Sequence, residues 1–414
     1  MEKFKSAREL SEARKPDRPT FGLRPHAAGR AAQWFLNNFP GDVAYAVKAN
    51  ASPFLLGALY GAGIRHFDVA SLPEIEDAAT IPDATLHFMH PVKSRHAIRR
   101  AFGAFGVRSF VLDSEEELKK IMDETGNCRD LKLWVRIAVQ SKNAKLPLDK
   151  KFGVPPQKAV KLIMKARQVA RELGVSFHVG SQTSTPESYV IALEEVKRLI
   201  VKAGVVLDGV DVGGGFPSIY PNMPPPKPLS DAVKDGHSNY TQHDAPMPLS
   251  SFMDAIKAGF DEIPKTDRCR LMCEPGRALV AEAESLIVKV DGRRGNELYI
   301  NDGAYGALFD AANLSWIFPM KQVGHEPKPG EVLQAFSMWG PTCDSLDFMP
   351  GPFMLPAGIK EGDYIEIGNI GAYGRAIAGR FNGYGAYEQA ILLDEPMLSM
   401  YSGEQAKALA KAGT

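Results

Sequence analysis

The chain has 414 residues with 44% hydrophobic content, 24% charged residues and a formal net charge of zero. That length exceeds one average domain and predicts two. The balanced charge excludes a polybasic surface for nucleic acid or anionic membrane and favours a small-molecule partner. Four scattered cysteines, Cys128, Cys269, Cys273 and Cys343, fit reduced thiols and neither a disulfide framework nor a metal site. Met1 to Arg14 is mixed in charge with no apolar leader segment, and no stretch approaches the length of a membrane span. A cytoplasmic location is expected.

Taken in chain order, residues 1–40 carry no decisive pattern. From Val43 onward, short apolar, β-branched runs alternate with amphipathic stretches, the pattern of parallel strands joined by helices. Eight runs are predicted as strands: Val43–Val47, Arg65–Val69, Thr85–Met89, Ser109–Leu112, Leu131–Ile137, Ser176–Val179, Val206–Val212 and Arg270–Cys273. Between them lie helices predicted over Leu72–Ala79, Ser114–Asp123 and Gln157–Leu173. Eight such units over this length suit an α/β fold built as a (β/α)8 barrel, with a doubly wound open sheet as the rival. In such barrels the chemistry sits at the C-terminal strand ends. Lys48, Asp68, His90, Asp113, Arg136, His178, Gly213 and Glu274 all fall there. Pro217–Pro248, with Pro224-Pro225-Pro226 inside it, reads as a long surface insertion. After about Val280, short strands separated by turns such as Asp291-Gly292 and Glu361-Gly362-Asp363 predict a separate all-β domain with a short helical tail. The predicted organisation is therefore an N-terminal segment over 1–40, a barrel over 41–280 and a β domain over 281–414.

Several motifs carry chemistry. Ala46-Val47-Lys48-Ala49-Asn50 puts a lysine at the end of an apolar strand. Gly213-Gly214-Gly215 follows another strand, where bare backbone amides can approach an anion. With Phe177-His178-Val179-Gly180-Ser181, Glu274-Pro275-Gly276-Arg277, Asn301-Asp302-Gly303-Ala304-Tyr305-Gly306, Gly340-Pro341-Thr342-Cys343-Asp344-Ser345-Leu346-Asp347 and Gly371-Ala372-Tyr373, they resemble, in this order, the fold type III (alanine-racemase-like) pyridoxal-phosphate decarboxylases, ornithine decarboxylase most closely. The resemblance runs from about Val43 to Tyr384.

That resemblance implies the cofactor pyridoxal 5'-phosphate, with Lys48 as the Schiff-base amine. It implies that Ser181, Gly213, Gly214, Gly215, Gly276, Arg277 and Tyr373 hold the phosphate, and that His178 stacks on the ring. Glu274 would keep the ring nitrogen protonated, where alanine racemase places an arginine. Arg136 and Asp68 match a charged pair behind the cofactor, and Lys151 matches a lysine near the dimer contact. Cys343 would protonate the substrate Cα after loss of CO2, and Asp344 would bind the distal ammonium. In the family this motif reaches into the partner's barrel, so a homodimer with shared sites is implied. Tyr305 and Asp310 are further substrate-binding candidates. Asp310 comes earlier than the family's second carboxylate, and Asn313 or Leu314 falls nearer its place. The implied reaction is decarboxylation of L-ornithine to putrescine for polyamine synthesis. Lysine or diaminopimelate decarboxylation is the enzymatic alternative, and a cofactor-less regulator resembling the antizyme inhibitors is the non-enzymatic one.

Overall fold

The computed structural model describes residues 1–139, 144–146, 151–221, 247–326 and 331–401. The predicted helical tail lies outside the described residues, as does most of the proline-rich insertion. The described residues divide into two compact units, one of residues 29–218 and 247–279, the other of residues 1–28, 219–221 and 280–401.

The first unit is a closed barrel of eight parallel strands. They are Asp42–Ala46, His66–Val69, Thr85–Phe88, Ser109–Leu112, Lys132–Arg136, Glu172–Ser176, Leu207–Asp211 and Lys265–Cys273, the last pairing with the first. The barrel prediction holds, and seven of the eight runs overlap their strands closely. The sixth is displaced: its strand is Glu172–Ser176, and Phe177–Gly180 leaves the ladder as a loop. The preceding helix ends at Val169 rather than Leu173, because residues 172–176 pair with Lys132–Arg136 on one side and Leu207–Asp211 on the other. Pairing on both edges overrides helix periodicity. Serine caps start the helices after the second, third and fourth strands: Ser71, Ser94 and Ser114 each accept from the backbone amide three residues on, the usual N-cap geometry.

The barrel interior is filled by Trp134, fully buried among Ala44, Met89, Val111 and Met272. Its ring fits because Gly174 and Gly209 on neighbouring strands carry no side chain; a Cβ would lie 2.1 Å from the ring at Gly174 and 2.8 Å at Gly209. A polar chain runs on from the indole. Trp134 Nε1 donates to Ser109 Oγ at 2.9 Å, Ser109 Oγ lies 2.8 Å from His87 Nδ1, and His87 Nε2 lies 3.0 Å from His66 Nδ1. Burial depresses both histidines, His87 most, towards the neutral form, so one direction of donation satisfies every link.

The other unit is built on a nine-stranded, mainly antiparallel sheet among the described residues. Its central strand, Glu284–Arg294, pairs with Thr20–Leu23, Glu297–Ile300 and Tyr364–Ile367. The N-terminal residues are integral to it: Lys3–Phe4 pairs with Glu388–Leu392, which pairs in turn with Thr20–Leu23. A buried cation anchors these strands. Arg24, 1% exposed, donates to Glu366 at 2.8 Å, to Ser285 at 2.9 Å and to Asp394 at 2.8 Å. Removing one partner of such a fully hydrogen-bonded buried pair costs about 3–5 kcal/mol. Asp302 is the corresponding buried acid in the Asn301–Gly306 turn. Its oxygens accept from Tyr387 and from the Ala307 amide, both at 3.0 Å, and burial raises its pKa to about 7.

Two outcomes follow from this packing. Gly174→Val should cost about 1–3 kcal/mol in chemical denaturation by overfilling the Trp134 site. For Asp302 the raised pKa means that its stabilising contribution is full below its ordinary 3.8 and is lost as pH rises through about 7. An amide at this position cannot titrate, so the stability of Asp302→Asn relative to the parent should rise by up to about 4 kcal/mol between pH 4 and pH 8. Melting temperatures taken across that range read the effect, and a gap independent of pH would contradict it.

Candidate active site

Lys48 lies in a single 3-10 turn, Val47–Ala49, directly after the first barrel strand. The turn is fixed from both sides. Asn50 Oδ1 accepts the Ser52 amide at 3.0 Å, and Tyr45 donates its hydroxyl to the Asn50 carbonyl at 2.9 Å. The lysine side chain remains 42% exposed, with Nζ 3.2 Å from the buried Asp68 carboxylate. Asp68 is thus ion-paired with Lys48. Arg136 lies over the Phe152 ring, 5.8 Å from its centre, and Lys151 approaches the same ring at 5.0 Å. Phe152 also meets His90 edge-on, and the neighbouring Gly153 amide donates to Asp113 at 3.0 Å. Three of the strand-end residues are therefore tied to one short segment.

The glycine triplet is held against two other strand ends. Gly213 and Gly215 have φ of 67° and 108°. A Cβ would lie 2.2 Å from the Phe177 carbonyl at Gly213, 2.7 Å from the Glu274 carbonyl at Gly214, and 2.4 Å from the Gly180 carbonyl at Gly215. Only bare backbone fits. The Glu274 amide donates to Gly213 O and the Thr183 amide to Gly215 O, each at 2.9 Å. From behind, the Tyr189 hydroxyl donates to Gly214 O at 2.9 Å, and its ring stacks on Phe216, which packs edge-on against Phe35. Ser181 opens the two-stranded ladder Ser181–Thr183 beside this loop.

His178 projects from the same loop. Nδ1 accepts the Gly180 amide at 3.0 Å, which leaves Nε2 to carry the proton. Burial, with the positive charges of Arg136 and Lys48, pushes its pKa well below the ordinary value, so the ring is a neutral flat surface. Glu274 ends the last barrel strand, 6% exposed. Burial first, then the charges of Asp211 and Asp68, raise its pKa well above the usual carboxylate range, against the opposing pull of Lys48 and Arg136. Its Oε1 is buried with no hydrogen-bond partner among the described residues. Pro275-Gly276-Arg277 then folds onto the lysine turn: the Ala46 amide donates to the Pro275 carbonyl at 3.3 Å, and a Cβ on Gly276 would sit 3.0 Å from Ala49 Cβ. The Arg277 guanidinium is brought in buried, 5% exposed.

In the other unit, Tyr305 donates its hydroxyl to Asp344 Oδ2 at 2.6 Å, and this bond, with the Leu346 amide on Oδ1, lowers the Asp344 pKa. Cys343 is exposed, its amide donating to Asn382 Oδ1 at 3.1 Å. What aligns these residues is Asp347, buried, which in the sequence is only the last letter of a motif. It accepts from the Ala304 amide at 2.6 Å, the Thr342 amide at 3.0 Å and the Thr342 hydroxyl at 2.7 Å. A Cβ on Gly303 or Gly340 would strike its Oδ1 at 2.1 Å. Tyr373 has φ of 67°, rare and costly for a bulky residue. It is held there by Gly371, whose amide donates to Ala281 O and whose missing Cβ admits the Val280 carbonyl. Asp310 opens the short helix Phe309–Asn313 and is buried.

The barrel residues fit a pyridoxal cofactor. A lysine amine faces a carboxylate, a backbone cradle and a buried guanidinium suit an anion, and Glu274 keeps a buried acceptor without a donor, as a ring N–H requires. Asp211 and Tyr189 were not foreseen as part of this site. Asp211 carried a signal all the same, being an acid inside an apolar strand immediately before a glycine run.

Comparison with known proteins agrees. A family model described as "Pyridoxal-dependent decarboxylase, pyridoxal binding domain" matches residues 27–281. The lysine/ornithine decarboxylase of Selenomonas ruminantium is 31% identical over 365 residues, covering 86% of this chain and 84% of that protein. The ornithine decarboxylase of Cricetulus griseus is 29% identical, covering 88% of this chain and 78% of that protein. The solved lysine/ornithine decarboxylase of Vibrio vulnificus complexed with cadaverine superposes with a TM-score of 0.76 at 28% identity, over 95% of this chain and 100% of that one. With the family model matched over residues 27–281 and such relatives across most of its length, the chain belongs to the pyridoxal-dependent decarboxylases and is an amino-acid decarboxylase that uses pyridoxal 5'-phosphate.

Proposed function

We propose that the substrate is a basic amino acid, L-ornithine first, converted to putrescine and CO2 as a step in polyamine synthesis. The observation that carries this is Asp344, an acid kept ionised by the Tyr305 hydroxyl and the Leu346 amide, which suits a substrate tail ending in an ammonium group. The alternative of a second substrate carboxylate is disfavoured by the same charge.

When bound, the cofactor supplies an electron sink for the pair of electrons left on Cα as CO2 departs. The residues of the chain do the rest. Lys48 Nζ would hold the cofactor through its carbonyl carbon. Gly213, Gly214, Gly215, Ser181, Gly276 and Arg277, with Tyr373, would hold its phosphate, and the neutral His178 ring would stack on the cofactor ring without competing for charge. Glu274 accepts the ring N–H, and Asp68 orients Lys48. Cys343 Sγ delivers the proton to Cα, and Asp344 fixes the far end of the substrate.

The Cys343 loop also supports a homodimer in which this loop completes the partner's site. Cys343 is exposed and Leu346 beside it is 73% exposed, with Phe381 and Tyr384 exposed nearby. A second copy of this chain would cover that apolar surface. A cytoplasmic location fits a substrate drawn from metabolism; among the described residues no helix is long and apolar enough to cross a membrane. Lysine is the second reading. It is favoured by the Asp310–Trp316 segment, which has Asn313 or Leu314 near the position of the family's second carboxylate.

The test is amine formation by the cofactor-loaded enzyme from ornithine, lysine, arginine and diaminopimelate separately, with Lys48→Ala as the blank. Putrescine from ornithine, reduced about a thousandfold or more in the variant, is expected. Cadaverine as the main product would move the assignment to lysine, and turnover of diaminopimelate alone would overturn the role of Asp344.

A further inference from the structure

Asp211 has no part in the reaction as set out above, yet it is fully buried at the site. It ends the strand Leu207–Asp211 and stands opposite Met272 in the parallel ladder, so the adjacent strand delivers Glu274 just beyond it. The two carboxyls are near enough to act directly on each other. Asp211 Oδ1 is committed to the Gly213 amide at 2.9 Å. Its Oδ2 is buried with no hydrogen-bond partner among the described residues, as is Glu274 Oε1.

Two carboxylates cannot share a hydrogen bond unless one carries a proton. Among the charged groups that act on the pair, Asp68 opposes its ionisation while Arg136, Lys48 and Lys132 favour it, beside a neutral His178. Burial raises both acids, Asp211 to about 7.

We propose that Asp211 is a positioning residue that carries this proton when the cofactor is bound, donating Oδ2–H to Glu274 so that Glu274 meets the ring nitrogen as a pure acceptor. The inference rests on the cofactor reading of Glu274 and extends it by one residue. A neutral donor behind Glu274 lowers its proton affinity, so the proton between Glu274 and the ring stays on nitrogen. An ionised Asp211 would do the reverse, drawing that proton onto Glu274 and weakening the electron sink. The Gly213 amide explains why Oδ2 bears the hydrogen: Oδ1 already faces a donor.

Two variants separate the possibilities. Asp211→Asn keeps a donor towards Glu274 and an acceptor for Gly213 but cannot ionise; Asp211→Leu keeps neither. In the cofactor-free protein at neutral pH, the infrared band of a protonated carboxyl should weaken in Asp211→Asn relative to the parent. With cofactor labelled at the ring nitrogen with 15N, the chemical shift should remain that of a protonated ring in Asp211→Asn and move towards the unprotonated value in Asp211→Leu. Turnover should fall less than about tenfold in Asp211→Asn and about 100-fold or more in Asp211→Leu, in kcat rather than KM. An unchanged infrared band in Asp211→Asn would overturn the proposal, and that measurement stands even if Asp211→Leu does not fold. So would an Asn variant as impaired as the Leu variant, which would mean that the ionised form is the one required. A parent protein that binds no cofactor would sink the reading of Glu274 instead, while the infrared comparison would still report on the pair.

Discussion

The site depends on one steric constraint, the absence of side chains at residues 213–215. Three strand ends, bearing His178, Asp211 and Glu274, converge on that triplet, and each glycine would drive a Cβ into a neighbouring carbonyl at 2.2–2.7 Å. Backbone closeness of this kind does two things at once. It lets the triplet's carbonyls be taken up by Glu274, Thr183 and Tyr189, and the Gly213 amide by Asp211. It also fixes Glu274 relative to His178 through backbone bonds rather than through flexible side chains. Positioning by backbone costs no rotamer entropy when a ligand arrives, which is how a preorganised site keeps its binding energy for chemistry.

The second feature is the density of charge in a region with little water. Asp68, Asp211 and Glu274 are all below 7% exposed, and an isolated ionised carboxylate in such a place would cost several kcal/mol. The structure answers in two ways. Asp68 is paired with Lys48, the one group of the cluster with substantial exposure. Asp211 and Glu274 have raised pKa values, through burial first and then because each burdens the other. Perturbed proton affinities are found where acid and base roles lie, and here they belong to Asp211 and Glu274.

Much of this was legible in the sequence, for identifiable reasons. Parallel strands buried on both faces write themselves as apolar runs, so seven of eight could be placed from pattern alone. The sixth was misplaced because Glu172-Leu173-Gly174 reads as the end of a helix; its strand character comes from pairing on both edges and from Gly174 yielding space to Trp134, a contact between residues forty positions apart. The N-terminal strands were not legible at all, since Lys3–Phe4 and Thr20–Leu23 become strands only by pairing with segments more than 260 residues away. At the site, the motifs named the candidate residues for ligand binding. They did not name those that hold other residues in place. Asp347 and Tyr189 act through backbone groups they reach only in the fold, and the strained backbone of Tyr373 has no signature beyond the glycine two residues before it.

Recognition of the substrate's far end poses a different physical problem from that of the cofactor. Asp344 is only half-buried, and a carboxylate still open to water gains little from an ammonium ion beside it, because solvent screening leaves such pairs worth at most about 1 kcal/mol. Discrimination between a cationic and a neutral tail therefore needs water to be excluded from around Asp344. The bond from Tyr305 supplies orientation, not dryness. On the proposed reading a second copy of the chain supplies the rest: covering Leu346 and its exposed apolar neighbours removes solvent from the same loop that carries Cys343 and Asp344. The removal of water would strengthen the contact to the ammonium group and shield the Cys343 proton from exchange with bulk solvent. Assembly and specificity would then have one cause, and a chain that failed to pair would lose selectivity for basic amino acids together with turnover, even with every barrel residue in place.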